Sequence, residues 1–197
     1  MSDLFGASTA QNLITGGDGA KLYGWNVLNS ANATVMDVDN ASGSGFTDRL
    51  GIKSATSTSD SPLTNPFVYQ EVTGDFDVDI YLYAVANGGW QGLICRCPTA
   101  SAGEDFVGIV SNDSDNLYWT DFTNSSNTYG DLSSTNRYLR MTRVGNTFTV
   151  YRKLNPGDAW TSAHTFTRAD FAGETLQLGM YLKRLGGTAS TQVDYFQ

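Results

Sequence analysis

Histidine, cysteine and proline are scarce in this chain of 197 residues, which holds one His, two Cys and four Pro. The single histidine, His164, excludes the multi-histidine ligand sets that zinc sites commonly use. The cysteines, Cys95 and Cys97 in "LICRCP", are two apart and share a face on a strand. Their Cα atoms would lie about 6.5 Å apart, near the limit for a disulfide. They are expected to be small reduced core residues, in keeping with assembly in a cytoplasm. Basic residues are few as well, 12 against 20 acidic, for a formal net charge of -8. Such a surface repels phosphate backbones and anionic lipid, which excludes nucleic acid and membrane surfaces as partners. No apolar run approaches the ~20 residues of a membrane helix. The opening "MSDLFGASTAQNLITGGDGA" has neither a basic n-region nor an apolar h-region, so the expectation is either a chain that works without Sec export or one whose leader lies outside this sequence.

What is abundant is alternation. Hydrophobic residues make up 40% and aromatic residues 12%, and 21 glycines mark the turns between short apolar runs. In "TGDFDVDIYLYA", residues 73–84, Phe76, Val78, Ile80, Leu82 and Ala84 fall on one face. Asp75, Asp77, Asp79, Tyr81 and Tyr83 fall on the other, as in a half-buried strand. In "RYLRMTRVGNTFTVYRK", residues 137–153, a Gly145-Asn146 turn predicts a tight hairpin. It pairs Val144 with Thr147, Thr142 with Thr149 and Met141 with Val150. Leu139, Met141, Phe148 and Val150 then share the inner face. Further strands are expected at 21–28, 33–38, 49–54, 66–72, 89–97, 105–111, 116–122, 159–167, 175–184 and 191–196, with one short helical turn in "TRADFAG". Many short strands with little helix predict an all-β fold, a two-sheet antiparallel β-sandwich. Residues 1–18 read as an N-terminal arm, flexible or partner-contacting, and residues 19–197 as a single sandwich domain.

The order "GWNVLN", "PFVYQEVTGDFDVDIYL", "GGWQGLICR", the 137–153 hairpin, "LQLGMYLKR" and a closing "VDYF" resembles the concanavalin A-like lectin/glucanase superfamily. It is most similar to a poorly characterised group of jelly-roll domains with laminin-G-like architecture, over roughly residues 20–197. The resemblance implies a jelly roll. It leaves open the activity, because the superfamily contains glucanases, lectins, adhesion modules and virion proteins. Some of its glucanases carry a Glu-x-Asp-x-Glu strand of nucleophile, helper and general acid/base, and Asp75, Asp77 and Asp79 reproduce that spacing with shorter outer side chains. A solvated strand face explains these acids without chemistry, so no catalytic residue is assigned. His164 stands among Ser and Thr with no G-x-S-x-G elbow nearby, and "GSG" at 43–45 lacks the sequel of a phosphate loop.

Sugars are gripped by aromatic faces beside hydrogen-bonding side chains. The candidates are Tyr118, Trp119 and Asp121 in "NLYWTDF", with Trp90 at a loop rim. Against this, Trp119 and Trp90 have the size to complete a core or a subunit contact. Asp113, Asp115 and Asn116 in "NDSDN" crowd oxygen ligands as a calcium loop does, although a plain Asx turn has the same composition. No other cofactor is expected.

The functional expectation is a non-enzymatic structural or decoration module of a larger assembly, in a phage virion built in a host cytoplasm. Its partners would be protein neighbours, as a homo-oligomer, with a surface glycan as an additional ligand. The alternatives are an extracellular lectin-like adhesion module and a glycoside hydrolase using Asp75, Asp77 and Asp79.

Overall fold

A computed structural model describes residues 3–4, 11–16, 21–22, 24–38, 49–55, 64–85, 89–100, 105–112, 114–184 and 190–196. Among them the first strands are β1 (Asp3–Leu4), β2 (Gln11–Asn12), β3 (Lys21–Leu22), β4 (Trp25–Leu28), β5 (Ala33–Val38), β6 (Leu50–Ser54), β7 (Phe67–Val72), β8 (Phe76–Val85) and β9 (Gly89–Arg96). Then come β10 (Phe106–Ser111), β11 (Leu117–Thr123), β12 (Ser126–Asp131), β13 (Tyr138–Val144), β14 (Thr147–Lys153), β15 (Thr161–Thr167), β16 (Leu176–Arg184) and β17 (Ser190–Phe196). They form two antiparallel sheets packed face to face. The β8 sheet runs β15-β14-β13-β8-β17-β6-β5-β2, with β1 also on β17, and the β9 sheet runs β12-β11-β10-β9-β16-β7-β4-β3. The fold is the two-sheet all-β sandwich that the alternation predicts, with the jelly-roll architecture that the resemblance implies.

In the β8 sheet the alternation is literal. Val78, Ile80, Leu82, Leu139, Met141, Phe148 and Val150 enter the core, while Asp75, Asp77, Thr142 and Thr149 stay outside. Gly145 takes φ 60, which a tight primed turn requires. The hairpin pairs Val144 with Thr147, Thr142 with Thr149 and Met141 with Val150, the register the turn dictates. The short helical turn is a 3-10 segment at Ala169–Phe171. Both cysteines are free and buried in the core, and burial pushes the Cys95 thiol far above its usual value. Within the 1–18 arm, β1 pairs with β17, β2 pairs with β5, and Leu13 is fully buried.

The β9 sheet differs because it is apolar on both faces. Its inner residues, among them Val68, Leu93, Val107, Ile109, Leu178 and Met180, join the main core. The alternate residues Phe67, Tyr69, Ile94, Phe106, Val110, Phe122 and Tyr181 form a second apolar cluster on the outer side. At three outward positions of this sheet, Gly92, Gly108 and Gly179, a Cβ would collide with a neighbouring strand. The sheet's outer floor is therefore smooth and tightly packed, bordered by larger side chains.

Candidate functional site

Those larger side chains make a groove. Trp90 on β9, Phe106 and Val110 on β10, Thr120 on β11, Asn127 and Tyr129 on β12, and Tyr181 and Lys183 on β16 line a cavity of about 240 Å³. Antiparallel registry sets these neighbours: Lys183 lies opposite Trp90, Tyr118 opposite Val110, and Tyr129 opposite Thr120. Tyr118 is tilted against Trp90 with ring centroids 4.8 Å apart, and Tyr129 stands edge-on to both at 6.1 Å. Tyr129 is 57% exposed, so one ring of this trio projects into solvent. The Thr120 hydroxyl donates to Asn127 Oδ1 at 2.8 Å, which orients the amide and leaves its Nδ2 as a donor. Asn65 Nδ2 donates to the Tyr181 hydroxyl at 3.2 Å, fixing that ring in the floor. The arrangement offers aromatic faces, hydroxyls, an amide and an ammonium, which suits an amphipathic ring such as a sugar.

Of the residues named from sequence, Trp90 lines this groove with Tyr118 packed against its indole, and Trp119 and Asp121 stay out of it. Trp119 packs against the main core and stacks on His164 at 3.8 Å, nearly parallel at 7°. Gly130 opposite it has no Cβ to obstruct the indole. Asp121 accepts from the Arg168 guanidinium at 2.9 Å and from the Thr123 hydroxyl at 2.8 Å. Tyr129 and Lys183 were missed. Their signal was the continuous apolar runs of β7, β9 and β10, which mark strands buried on both faces.

Burial beside the stacked indole lowers the pKa of His164 from 6.5, with the charge of Asp121 opposing. The depressed value contributes stability that is present above pH 6.5 and lost as the pH falls through the lowered folded value. Because His164 is the sole histidine, one NMR titration should read a value below 6.5, and Trp119→Leu should move it back towards 6.5.

The acids of β8 lie on the outer face of the other sheet. Asp75 accepts the Gly145 N–H at 2.8 Å, and Asp77 is gripped by Arg140, with Nε at 2.6 Å and Nη2 also donating. Open depressions flank them, one lined by Glu71, Thr73, Asp75 and Asp77, the other by Asp75, Asp77, Thr142 and Tyr151.

Of the calcium candidates, Asp113 lies outside the described residues. Asp115 is ion-paired with Arg137 at 2.6 Å. The Asn116 N–H donates to Asn112 Oδ1 at 2.9 Å, closing an Asx-type turn between β10 and β11. Among the described residues no group of three or more His, Cys, Asp or Glu side chains is placed to hold a metal ion.

Neither the family models nor the curated proteins contain a match to this sequence. Solved structures do match. A functionally unknown protein from Saccharomyces cerevisiae aligns at 13% identity and TM-score 0.64, over 90% of this chain and 98% of its own. A xylan beta-1,4-xylosidase from Bacillus halodurans aligns at 14% identity and TM-score 0.67, over all of this chain, which spans 38% of the xylosidase. A Bacillus licheniformis beta-glucanase aligns at 14% identity and TM-score 0.53, over 100% of this chain and 95% of its own. At these identities the likeness establishes the fold, a concanavalin A-like sandwich.

These matches overturn the functional expectation. Neither the virion module nor the assignment of the chain as a non-enzyme stands against sandwiches of the same shape that belong to glycan-cleaving proteins. The virion reading rested on unpaired thiols and an acidic sandwich, and the non-enzyme reading on a solvated strand face for Asp75, Asp77 and Asp79, and neither feature selects a role.

Proposed function

We propose that this chain is a carbohydrate-active protein that grips a β-linked glycan in the groove on the outer face of the β9 sheet. The observation that carries this reading is the convergence of Trp90 and Tyr129, with Tyr118 packed against both rings, on one solvent-open cavity furnished with hydrogen-bonding side chains. Equatorially linked sugars present flat C–H faces that lie on aromatic rings while their hydroxyls reach amides and phenols at the rim. The names of the xylosidase and the glucanase point to β-linked chains as the ligand class.

Isothermal titration with cello-, laminari- and xylo-oligosaccharides tests this reading. Trp90→Ala should weaken binding at least tenfold, about 1.4 kcal/mol. Trp119→Ala should lower stability and leave the affinity of the folded fraction unchanged, because that ring faces the core. Equal loss in both variants, or no binding by the wild type, would sink it.

A second reading has its own support. Asp75, Asp77 and Asp79 stand at alternate positions on an outer strand face beside open depressions, with Tyr151 alongside. In a retaining hydrolysis the outer two would serve as nucleophile and general acid/base. Asp77, clamped by Arg140, would be the helper. Release of reducing ends from β-glucan, abolished by Asp75→Asn while the melting temperature holds, is the expected result. Release unaffected by Asp75→Asn would place the chemistry elsewhere.

A further inference from the structure

The outer face of the β8 sheet changes character along its length. Acids hold the Asp75 end, and the same face of β8 continues through Tyr81 and Tyr83. There the side chains stand in a row that crosses the strands. Arg49, the residue before β6, reaches across β17 and lays its guanidinium 3.2 Å from the Tyr83 ring centroid. Tyr83 is 44% exposed and stands edge-on to Tyr81, which stacks on Tyr138 of β13 at 4.5 Å. Lys153 of β14 follows, with its Nζ 5.5 Å from the Tyr138 ring and 4.5 Å from the Trp160 ring. Beside the row lies an open depression of about 350 Å³, lined in part by Tyr81, Arg137, Tyr138 and Asn155.

The ion pairs on this face join Arg137 to Asp115 and Arg140 to Asp77, and no acid among the described residues is paired with Arg49. The Arg49 guanidinium meets Gln192 Oε1 only at 3.4 Å, and its buried Nε has no hydrogen-bond partner among the described residues. A guanidinium in that condition offers a planar fork of donors that matches an oxyanion. Stacking on Tyr83 holds the fork in place, so little side-chain freedom is lost when an anion arrives. We propose that this row binds a glycan carrying oxyanions, carboxylate or sulfate ester, one of them held by Arg49 while a sugar ring lies against the exposed Tyr83. The proposal rests on the carbohydrate reading above and adds a second site, on the opposite sheet from the Trp90 groove. The tyrosines favour a glycan over an acidic peptide, because ring faces and phenols match C–H faces and hydroxyls. Lys153, whose Nζ donates to the Pro156 carbonyl at 2.7 Å, extends the positive side of the row. Burial, Tyr81 and the Asp194 charge together raise the Tyr138 pKa, which marks Asp194 as the acid that opposes an incoming anion.

Calorimetric titration of the full chain compares three hexamers of one linkage: cellohexaose, its C6-oxidised glucuronate counterpart and 6-O-sulfated cellohexaose. One of the anionic hexamers should bind roughly tenfold tighter than the neutral one, the scale of a charge-assisted hydrogen bond. The tighter of the two names the anion. The preference should shrink between about 50 mM and 500 mM salt, as an ion pair open to solvent requires. Arg49→Gln should bring the anionic hexamers down to the affinity of cellohexaose without moving the melting temperature. Arg49→Lys, which keeps the charge and loses the fork, should keep part of the preference, and Asp194→Asn should enlarge it. A preference that survives Arg49→Gln, or one that disappears in Trp90→Ala, overturns the proposal by placing the anion elsewhere. Equal affinity for the three hexamers overturns it and leaves the Trp90 groove standing as a neutral-glycan site. A hexaglutamate peptide that binds as tightly as the anionic hexamers overturns the glycan in favour of an acidic peptide. Binding of none of them overturns both this proposal and the carbohydrate reading.

Discussion

Arg168→Met should destabilise the protein by about 3–5 kcal/mol, the range seen when one member of a buried ion pair is removed. The guanidinium is almost wholly buried and is ringed by acids. It donates to Asp105 at 2.7 Å, to Asp121 at 2.9 Å and to Asp170 at 2.6 Å and 3.0 Å, and lies 4.1 Å over the Phe171 ring. Burial opposes its charge, and the Asp170 hydrogen bond with the Asp121 and Asp105 charges outweighs that, so its pKa is raised. Asp105 is only 2% exposed and would be left as a buried carboxylate. Urea unfolding of the single variant and of Arg168→Met/Asp105→Asn checks the argument, because the second change should restore part of the loss. A single-variant loss under about 1 kcal/mol would mean that the cluster behaves as an exposed pair. Acid titration gives a further reading. The hydrogen bond from Arg168 holds the Asp170 pKa below its ordinary 3.8. Its contribution is present above that value and is lost as the pH falls through the lowered folded value. In the variant, the Asp170 pKa should return towards 3.8.

Gly179→Ala should remove about 3 kcal/mol or more, at the upper end of overpacking effects. Gly179 sits in the middle of β16, which pairs with β7 on one side and β9 on the other. A Cβ there would land on the Val68 carbonyl oxygen and within 2.6 Å of the Tyr69 Cα. Both are backbone atoms of a central strand, so no rotamer change relieves the collision and β16 must separate from β7. Gly157→Ala is the control, since a Cβ there meets nothing within 4 Å. Thermal melts should separate the two variants by roughly 6–12 °C for a chain of this size. Coincident melts would refute the close approach.

Within the β8 sheet, sequence alone carried the faces of β8 and the β13–β14 hairpin, while β1 and β2 lay in the stretch read as an arm. The strict alternation in β8, β13 and β14 fixed faces, and Gly145-Asn146 fixed the register of the hairpin. It was silent on β12, because "SNTYGD" is polar and its residues are exposed or half-exposed, and this segment is a strand by virtue of pairing with β11. The sequence put Trp90 at a loop rim, whereas the structure sets it within β9, and it set Tyr118 and Trp119 on opposite faces without telling which faced inward. That choice depends on distant partners, His164 and Gly130 for Trp119, Trp90 and Tyr129 for Tyr118. The groove escaped because strands apolar on both sides were read only as strands, although the same runs also marked the second apolar face. The β8 acids were legible as a pattern, and their partners Arg140 and Gly145 were not, since both contacts bridge more than sixty residues.

The two-sided character of the β9 sheet also alters how mispairing is rejected during folding. Slipping β8 by one residue would drive Asp77 and Asp79 into hydrocarbon, a fault that corrects itself at once. Slipping β9 or β10 merely exchanges one greasy set for another, so hydrophobicity is a poor proofreader there. The discriminating elements are the side-chain-free positions 92, 108 and 179: shifted by one, each contact would place a Cβ against a backbone that has no room for it. In this half of the molecule the missing methyls, more than the oily residues around them, act as the alignment marks.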